Sequence, residues 1–262
     1  MFSRISAIIV EHFLRLFHSL TEIVDTFYWS AVDVIIWGFM VTFLNTSSGT
    51  GVNIAAFLLS GLILWNISWR SQQDISVSLL WDVWNNNLTN LFATPLSVWE
   101  FLIGVIALGA VKILLTLALV LLVAFLAFNF NLLILGLYLL PFFGNLLLFG
   151  WVMGIFITAL IIRFGREIQN LAWSIMILLN LVAAVFYPVS VLPHWLQVIA
   201  KMLPPSYIFE VMRSVLNGNY EIGNNLMMAF LLNCFYLILS LLFFSYMFEQ
   251  AREKGRLVKL EQ

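Results

Sequence analysis

The sequence predicts an all-α membrane protein with six helices crossing the bilayer. Two observations carry that expectation. Of 262 residues, 63% are hydrophobic and 10% charged, whereas a soluble domain carries roughly 25% charged residues. The mean hydropathy is +1.02, and the apolar residues fall in runs near 20 or longer, the length of a spanning helix rather than of a barrel strand. The whole chain, 1–262, reads as one transmembrane domain: an amphipathic helix over 1–26, a bundle over 27–248 and a tail over 249–262. The single cysteine, Cys234, rules out an internal disulfide framework and a Cys-rich metal site. The formal charge of −1 by itself says nothing of partners, and no nucleic-acid partner is expected.

The chain opens with Phe2, Ile5, Ile9, Phe13, Leu16, Leu20, Ile23 and Phe27 stepping by three and four. Arg4, Glu11, Arg15, His18, Glu22 and Asp25 occupy another face. That spacing makes a helix lying in the membrane interface or against a partner. The first span is expected at about Phe27–Leu44. The second is expected at about Ile54–Trp69, ending near Arg70 with a possible helical continuation toward Leu80.

Between the second and third spans lies Trp81–Glu100. Asn85, Asn86 and Asn87 are good helix starters, Leu88, Leu91 and Phe92 share a face, and Pro95 stops the turn. Ser97 and Glu100 then have capping-box spacing, with Leu96 and Phe101 placed for a hydrophobic staple. The third span follows at about Phe101–Phe128. A short turn at Asn129–Asn131 leads to the fourth, about Leu132–Ile162, which is long enough to require tilt or a break near Pro141 or Gly144.

Arg163–Glu167 is a tight polar turn, and the fifth span runs at about Ile168–Tyr187. Four of the six prolines then fall within Pro188–Pro205. Pro188 ends the fifth helix early, and Pro193 suits the first turn of a new one. Trp195, Leu196, Ile199 and Met202 form an apolar face. Pro204–Pro205 break the chain again, and Tyr207–Leu216 form a second short helix closed by Asn217–Gly218. Neither helix is long enough to cross, so both lie at the outer interface or dip into it, packed on protein. They read either as a cap or as an outer gate, with Pro188, Pro193, Trp195, Pro204, Pro205 and Tyr207 as its candidate residues. The sixth span is expected at about Leu226–Phe248.

Nine Lys and Arg residues fall on one side of this topology and two, Lys201 and Arg213, on the other. The positive-inside bias places both termini and Trp81–Glu100 in the cytoplasm. Asp33 and Lys112 are the ionisable residues within spans and therefore functional suspects. Each faces a cavity or a bundle partner, or serves structure alone. Trp65, Trp69, Trp81, Trp84, Tyr28 and Trp29 fit interfacial aromatic belts. A phosphate-binding GxxxxGK[ST] loop, HExxH and GxSxG are all missing, so the chain is not expected to be an enzyme and carries no cofactor of its own.

With these pieces in place the chain resembles a permease subunit of the type-2 ABC (ATP-binding-cassette) exporters. The resemblance rests on FYWSAVDVIIWGF at Phe27–Phe39, NLFATPLSVWEFLIG at Asn90–Gly104, and the proline-rich outer stretch Phe186–Gly218. It implies a dimer of permeases in the inner membrane and two cytoplasmic ATPase subunits from another chain, which hold the ATP and Mg. The short helix that inserts into the ATPase would be about Asn86, Asn87, Leu88, Thr89, Asn90, Leu91, Phe92 and Ala93. The two outer helices would be re-entrant. The translocation path would run between permeases along the first, second and fifth spans, making Asp33, Trp37, Lys112 and Tyr187 its candidates. The substrate class implied is a polysaccharide, a lipid or a hydrophobic drug-like molecule. Two departures stand out: Pro204–Pro205 where relatives often have Asn-Pro, and a single charge, Asp82, in Trp81–Asn87. The rival reading is a secondary transporter or channel working through Asp33 and Lys112 without an ATPase; a non-transporting scaffold is a third.

Overall fold

A computed structural model describes residues 10, 13–14, 18–48, 54–84, 97–219 and 224–253. The described residues form helices only. In chain order these are α1 (Leu20–Ile23), a π-turn (Val24–Tyr28), α2 (Trp29–Ser48), α3 (Ile54–Trp84), α4 (Val98–Phe128), a 3-10 segment (Leu132–Tyr138) and α5 (Leu139–Phe164). A 3-10 turn (Gly165–Ile168) leads to α6 (Leu171–Val182). After a 3-10 turn at Val189–Val191 come α7 (His194–Met202), α8 (Pro204–Leu216) and α9 (Asn225–Glu253). Among the described residues, four stretches are long and apolar enough to cross a membrane: Leu20–Asn45, Val98–Phe128, Leu132–Phe164 and Asn225–Glu253.

Several boundaries follow from local chemistry. Ser97 and Glu100 form the expected capping box at the start of α4, with the Ser97 N–H donating to Glu100 Oε2 at 3.0 Å. Phe101 is buried; the staple partner Leu96 lies outside the described residues. At the other end of α4, Asn129 adopts the left-handed conformation at φ 51°. Its N–H reaches back to the Phe125 carbonyl at 2.9 Å, the bond of an αL closure, and the Phe130 N–H reaches the Ala124 carbonyl.

The break expected in the fourth apolar run is present but displaced. It sits at Gly136, whose φ of 56° and ψ of −137° suit only glycine. Pro141 instead occupies the first turn of α5, where a missing N–H costs nothing. The second helix takes the continuation expected beyond Arg70 and goes a little past Leu80. It runs unbroken to Trp84, 31 residues or about 46 Å.

α5 is the central helix, packed against α3 on one side and α9 on the other. α2 and α4 pack on α3, and α8 wedges against α9, α5 and α3. The α3–α5 contact is close because Gly150 and Gly154, one turn apart, face Ser68, Ser71, Gln72 and Ile75. A Cβ on Gly150 would collide with Ser71 Cβ and stand 2.6 Å from the Ser68 carbonyl oxygen; one on Gly154 would come within 2.9 Å of Ile75 Cβ. The serine hydroxyls use that proximity. Ser68 Oγ donates to the Leu146 carbonyl at 2.9 Å, and Ser71 Oγ to Leu147 at 3.1 Å. Helices in lipid gain little from burying apolar surface on each other, so small residues and interhelical hydrogen bonds supply the association. Trp65, expected in an aromatic belt, is part of this core instead, its ring 6.3 Å from Phe209.

Candidate functional site

The sequence-named residues fall into three groups. Asn86, Asn87, Leu88, Thr89, Asn90, Leu91, Phe92 and Ala93 lie outside the described residues. The described chain does define where that segment leaves and returns, at Trp84 and Ser97. Trp84 is held firmly. Its Nε1–H donates to Gln169 Oε1 at 3.2 Å, and its ring lies parallel to Trp173 with centroids 6.3 Å apart. Trp81 packs edge-on against it at 5.2 Å. The end of α3 is thus fastened to the beginning of α6.

The second group is the ionisable one. Asp33 and Lys112 do not meet. Asp33 is exposed on α2, within electrostatic reach of Arg70. Lys112 faces Glu22 on α1, Nζ to Oε2 3.7 Å, both side chains largely buried. Around this pair is a charge cluster that the sequence reading missed. Arg70 of α3 donates from Nε to Ser30 Oγ at 2.8 Å, and from Nη1 to the Asp25 carbonyl at 2.6 Å and Gln73 Oε1 at 3.0 Å. Asp74, one turn on, lies against α4 where Gly109 leaves room; a Cβ there would stand 3.2 Å from Asp74 Cβ. A cavity of about 30 Å³ opens among Glu22, Asp25, Arg70, Asp74, Trp81 and Lys112, enough for about two waters. Three carboxylates face two cations here, and no trio that could hold a metal ion occurs among the described residues. The available signal was the run Arg70–Asp74, polar yet continuous with apolar helix on both sides.

The third group surrounds the proline-rich stretch. α6 stops at Val182, and Ala183, Ala184 and Val185 are fully buried although non-helical. Ala184 has φ 53°, a conformation alanine rarely takes. Buried irregular backbone needs internal partners, and Arg213 of α8 supplies one. Its Nη1 donates to the Ala184 carbonyl at 2.8 Å, while Nη2 pairs with Glu210 at 2.9 Å and the Phe57 ring lies 5.5 Å away. Glu210 also accepts from the Val189 N–H at 2.8 Å. Burial pushes the Arg213 guanidinium below its ordinary pKa and Glu210 opposes the shift, which leaves an arginine charged.

The named residues here are brought near one another only in part. Trp37 stacks on Phe186, centroids 4.9 Å apart, and so touches the residue next to Tyr187. The Tyr187 hydroxyl donates to the Leu181 carbonyl. Pro188 caps the Val189–Val191 turn and Pro193 caps α7. Pro204 and Pro205 form the buried first turn of α8, so that helix starts three residues before the expected Tyr207. The Tyr207 hydroxyl donates to the Lys201 carbonyl at 2.8 Å. Trp195 is exposed on α7 with Val198, Ile199 and Met202.

A search of curated proteins found no match. The family model described as "ABC-2 type transporter" matches residues 12–217, from the N-terminal segment through the end of α8. The matched region holds the fastened Trp84 end, the charge cluster and the Arg213-braced turn, and it covers well over half of the chain. The chain therefore belongs to the ABC-2 type transporter family, as a membrane-embedded transport subunit.

Proposed function

We propose that the chain is the non-catalytic transmembrane subunit of an ATP-driven exporter in the inner membrane, moving a polysaccharide, lipid or hydrophobic drug-like substrate outward. ATP and Mg belong to a separate cytoplasmic ATPase subunit, and a second copy of this chain completes the permease pair. The chain is one transmembrane domain of six spans. The four long apolar stretches are joined by α3 and by α6 with its extended continuation, and α7 and α8 form the re-entrant pair on the outer side. Both termini and the Trp84 end face the cytoplasm, where the Lys and Arg residues gather.

The observation that carries this reading is the clamp of Trp84 on Gln169 and Trp173. A force applied to Asn86–Ala93 enters α3 at Trp84 and reaches α6 through the same side chain, so the second and fifth spans are driven together. ATP biases the cycle by binding one ATPase arrangement better than the other. The ion-gradient alternative is weakened because Lys112 already has the Glu22 carboxylate as its neighbour.

Leu91→Asp and Phe92→Asp test the reading. Each places a charge on the apolar face expected to enter the ATPase, so tagged permease is expected to retain about tenfold less ATPase on purification, with export lost in parallel. If both variants assemble and transport normally, the coupling role of Asn86–Ala93 is wrong.

A further inference from the structure

We propose that Arg70 and Lys112 are positioning residues for transport. They fasten the N-terminal segment to α3 and α4 across the π-turn at Val24–Tyr28, so that the three move together when the Trp84 end of α3 is displaced. The inference rests on the permease reading for what displaces α3.

The π-turn is the reason a fastening is needed. It carries one residue more per hydrogen-bonded loop than an α-helix, and such interruptions are where a helix bends. Here it separates α1 from α2, the amphipathic start from the first apolar stretch. Without a brace, a push on α1 would be absorbed by bending. Arg70 holds the interruption near its start and the chain just beyond its end. Its Nη1 holds the carbonyl of Asp25, the second residue of the turn, and its Nε holds the hydroxyl of Ser30, two residues past the end. One planar guanidinium thus splints the turn from a neighbouring helix, which a lysine could not do because its donors leave a single nitrogen. Ser30 is itself tied to α3, donating to Asn66 Oδ1 at 3.2 Å.

Lys112 holds the segment ahead of the turn, at Glu22, from α4. The 3.7 Å separation is longer than a direct hydrogen bond, and the adjoining cavity has room for the water that would bridge it. Buried ion pairs are commonly less stabilising than apolar residues of the same volume, and their attested use is to fix a register. Two cations on two different helices, converging on either end of one π-turn, fit that use.

Hydrogen exchange on the full chain with its ATPase, in phosphatidylethanolamine–phosphatidylglycerol nanodiscs, tests the proposal. Lys112→Met is expected to raise exchange at residues 19–30 about tenfold while leaving 113–128 of the same helix unchanged. Glu22→Lys combined with Lys112→Glu is expected to bring exchange back to within about twofold of wild type, a rescue that a purely space-filling role would not give. Arg70→Lys, which keeps the charge and loses the fork, is expected to loosen 24–30. In wild type and the charge-swapped pair, ATP is expected to alter exchange at 19–30; in Lys112→Met that response is expected to be lost. Unchanged exchange in Lys112→Met, a swap as loose as the single variant, or an ATP response kept in Lys112→Met overturns the proposal. If Arg70→Lys does not accumulate, the Lys112 and swapped variants still decide. ATPase retention on the same samples reports on the permease reading separately: wild type that binds no ATPase yet shows the swap rescue removes that reading and leaves the fastening intact.

Discussion

Gly150→Leu is expected to abolish accumulation of folded protein, and Gly150→Ala to destabilise it by about 3 kcal/mol, at the upper end of ordinary overpacking. The added Cβ meets the Ser68 carbonyl and Ser71 Cβ, the first of them backbone that no rotamer change can move aside. Relief would require α3 and α5 to separate, and separation would break the Ser68–Leu146 and Ser71–Leu147 hydrogen bonds as well. Gly144→Ala is the matched control. It lies in the same helix, and a Cβ there meets nothing within 4 Å. Helix propensity alone then operates, worth about 0.5–1 kcal/mol in favour of alanine. Thermal unfolding in detergent should move in opposite directions for the two alanine variants. Equal shifts would mean that the α3–α5 contact is not as close as described.

Arg213→Met is expected to cost about 1–3 kcal/mol, the penalty for leaving a buried acceptor without its donor. The Glu210 side chain is 38% exposed, so its lost ion pair adds little. Three groups lose their partner at once. The Ala184 carbonyl is left buried in an already strained turn, Glu210 is left without its cation, and Phe57 loses the guanidinium over its ring. The expected readout is a lowered unfolding temperature together with new protease cleavage within 183–191. Glu210→Gln should cost less, since an amide oxygen can still accept from the Val189 N–H. A Glu210→Gln loss as large as that of Arg213→Met would shift the weight from the Ala184 contact to the ion pair.

Local signals carried much of the fold. The Ser97–Glu100 capping box, the turn at Asn129–Asn131 and the proline-bounded α7 and α8 are each written in a few adjacent residues, and each stands close to where those residues place it. The misreadings share a different cause. Arg70 looks like a border charge when charge alone is counted, because its partners, Asp25 and Ser30, are 45 and 40 residues away. Trp65 looks interfacial because tryptophan usually is; that Phe209 covers it depends on where α8 folds back. Pro141 looks like a breaker until the helix is seen to begin at Leu139. Lys112 was legible as an isolated intramembrane charge, but not its partner, since the polar face of the N-terminal segment offered several acids, Glu11, Glu22 and Asp25, all far away along the chain.

Asn233, deep in α9, donates to both the backbone and side-chain oxygens of Asn145 on α5, at 3.0 and 3.2 Å. The middle of α9 is otherwise largely apolar, with further ties at Tyr236, which donates to the Met202 carbonyl, and at Gln250, which accepts from Arg163. Inserted alone, α9 carries the Asn233 amide into hydrocarbon at a free-energy penalty that Asn145 relieves. A greasy cylinder thereby acquires a preferred rotational setting, seated like a key in a lock rather than by a sliding fit.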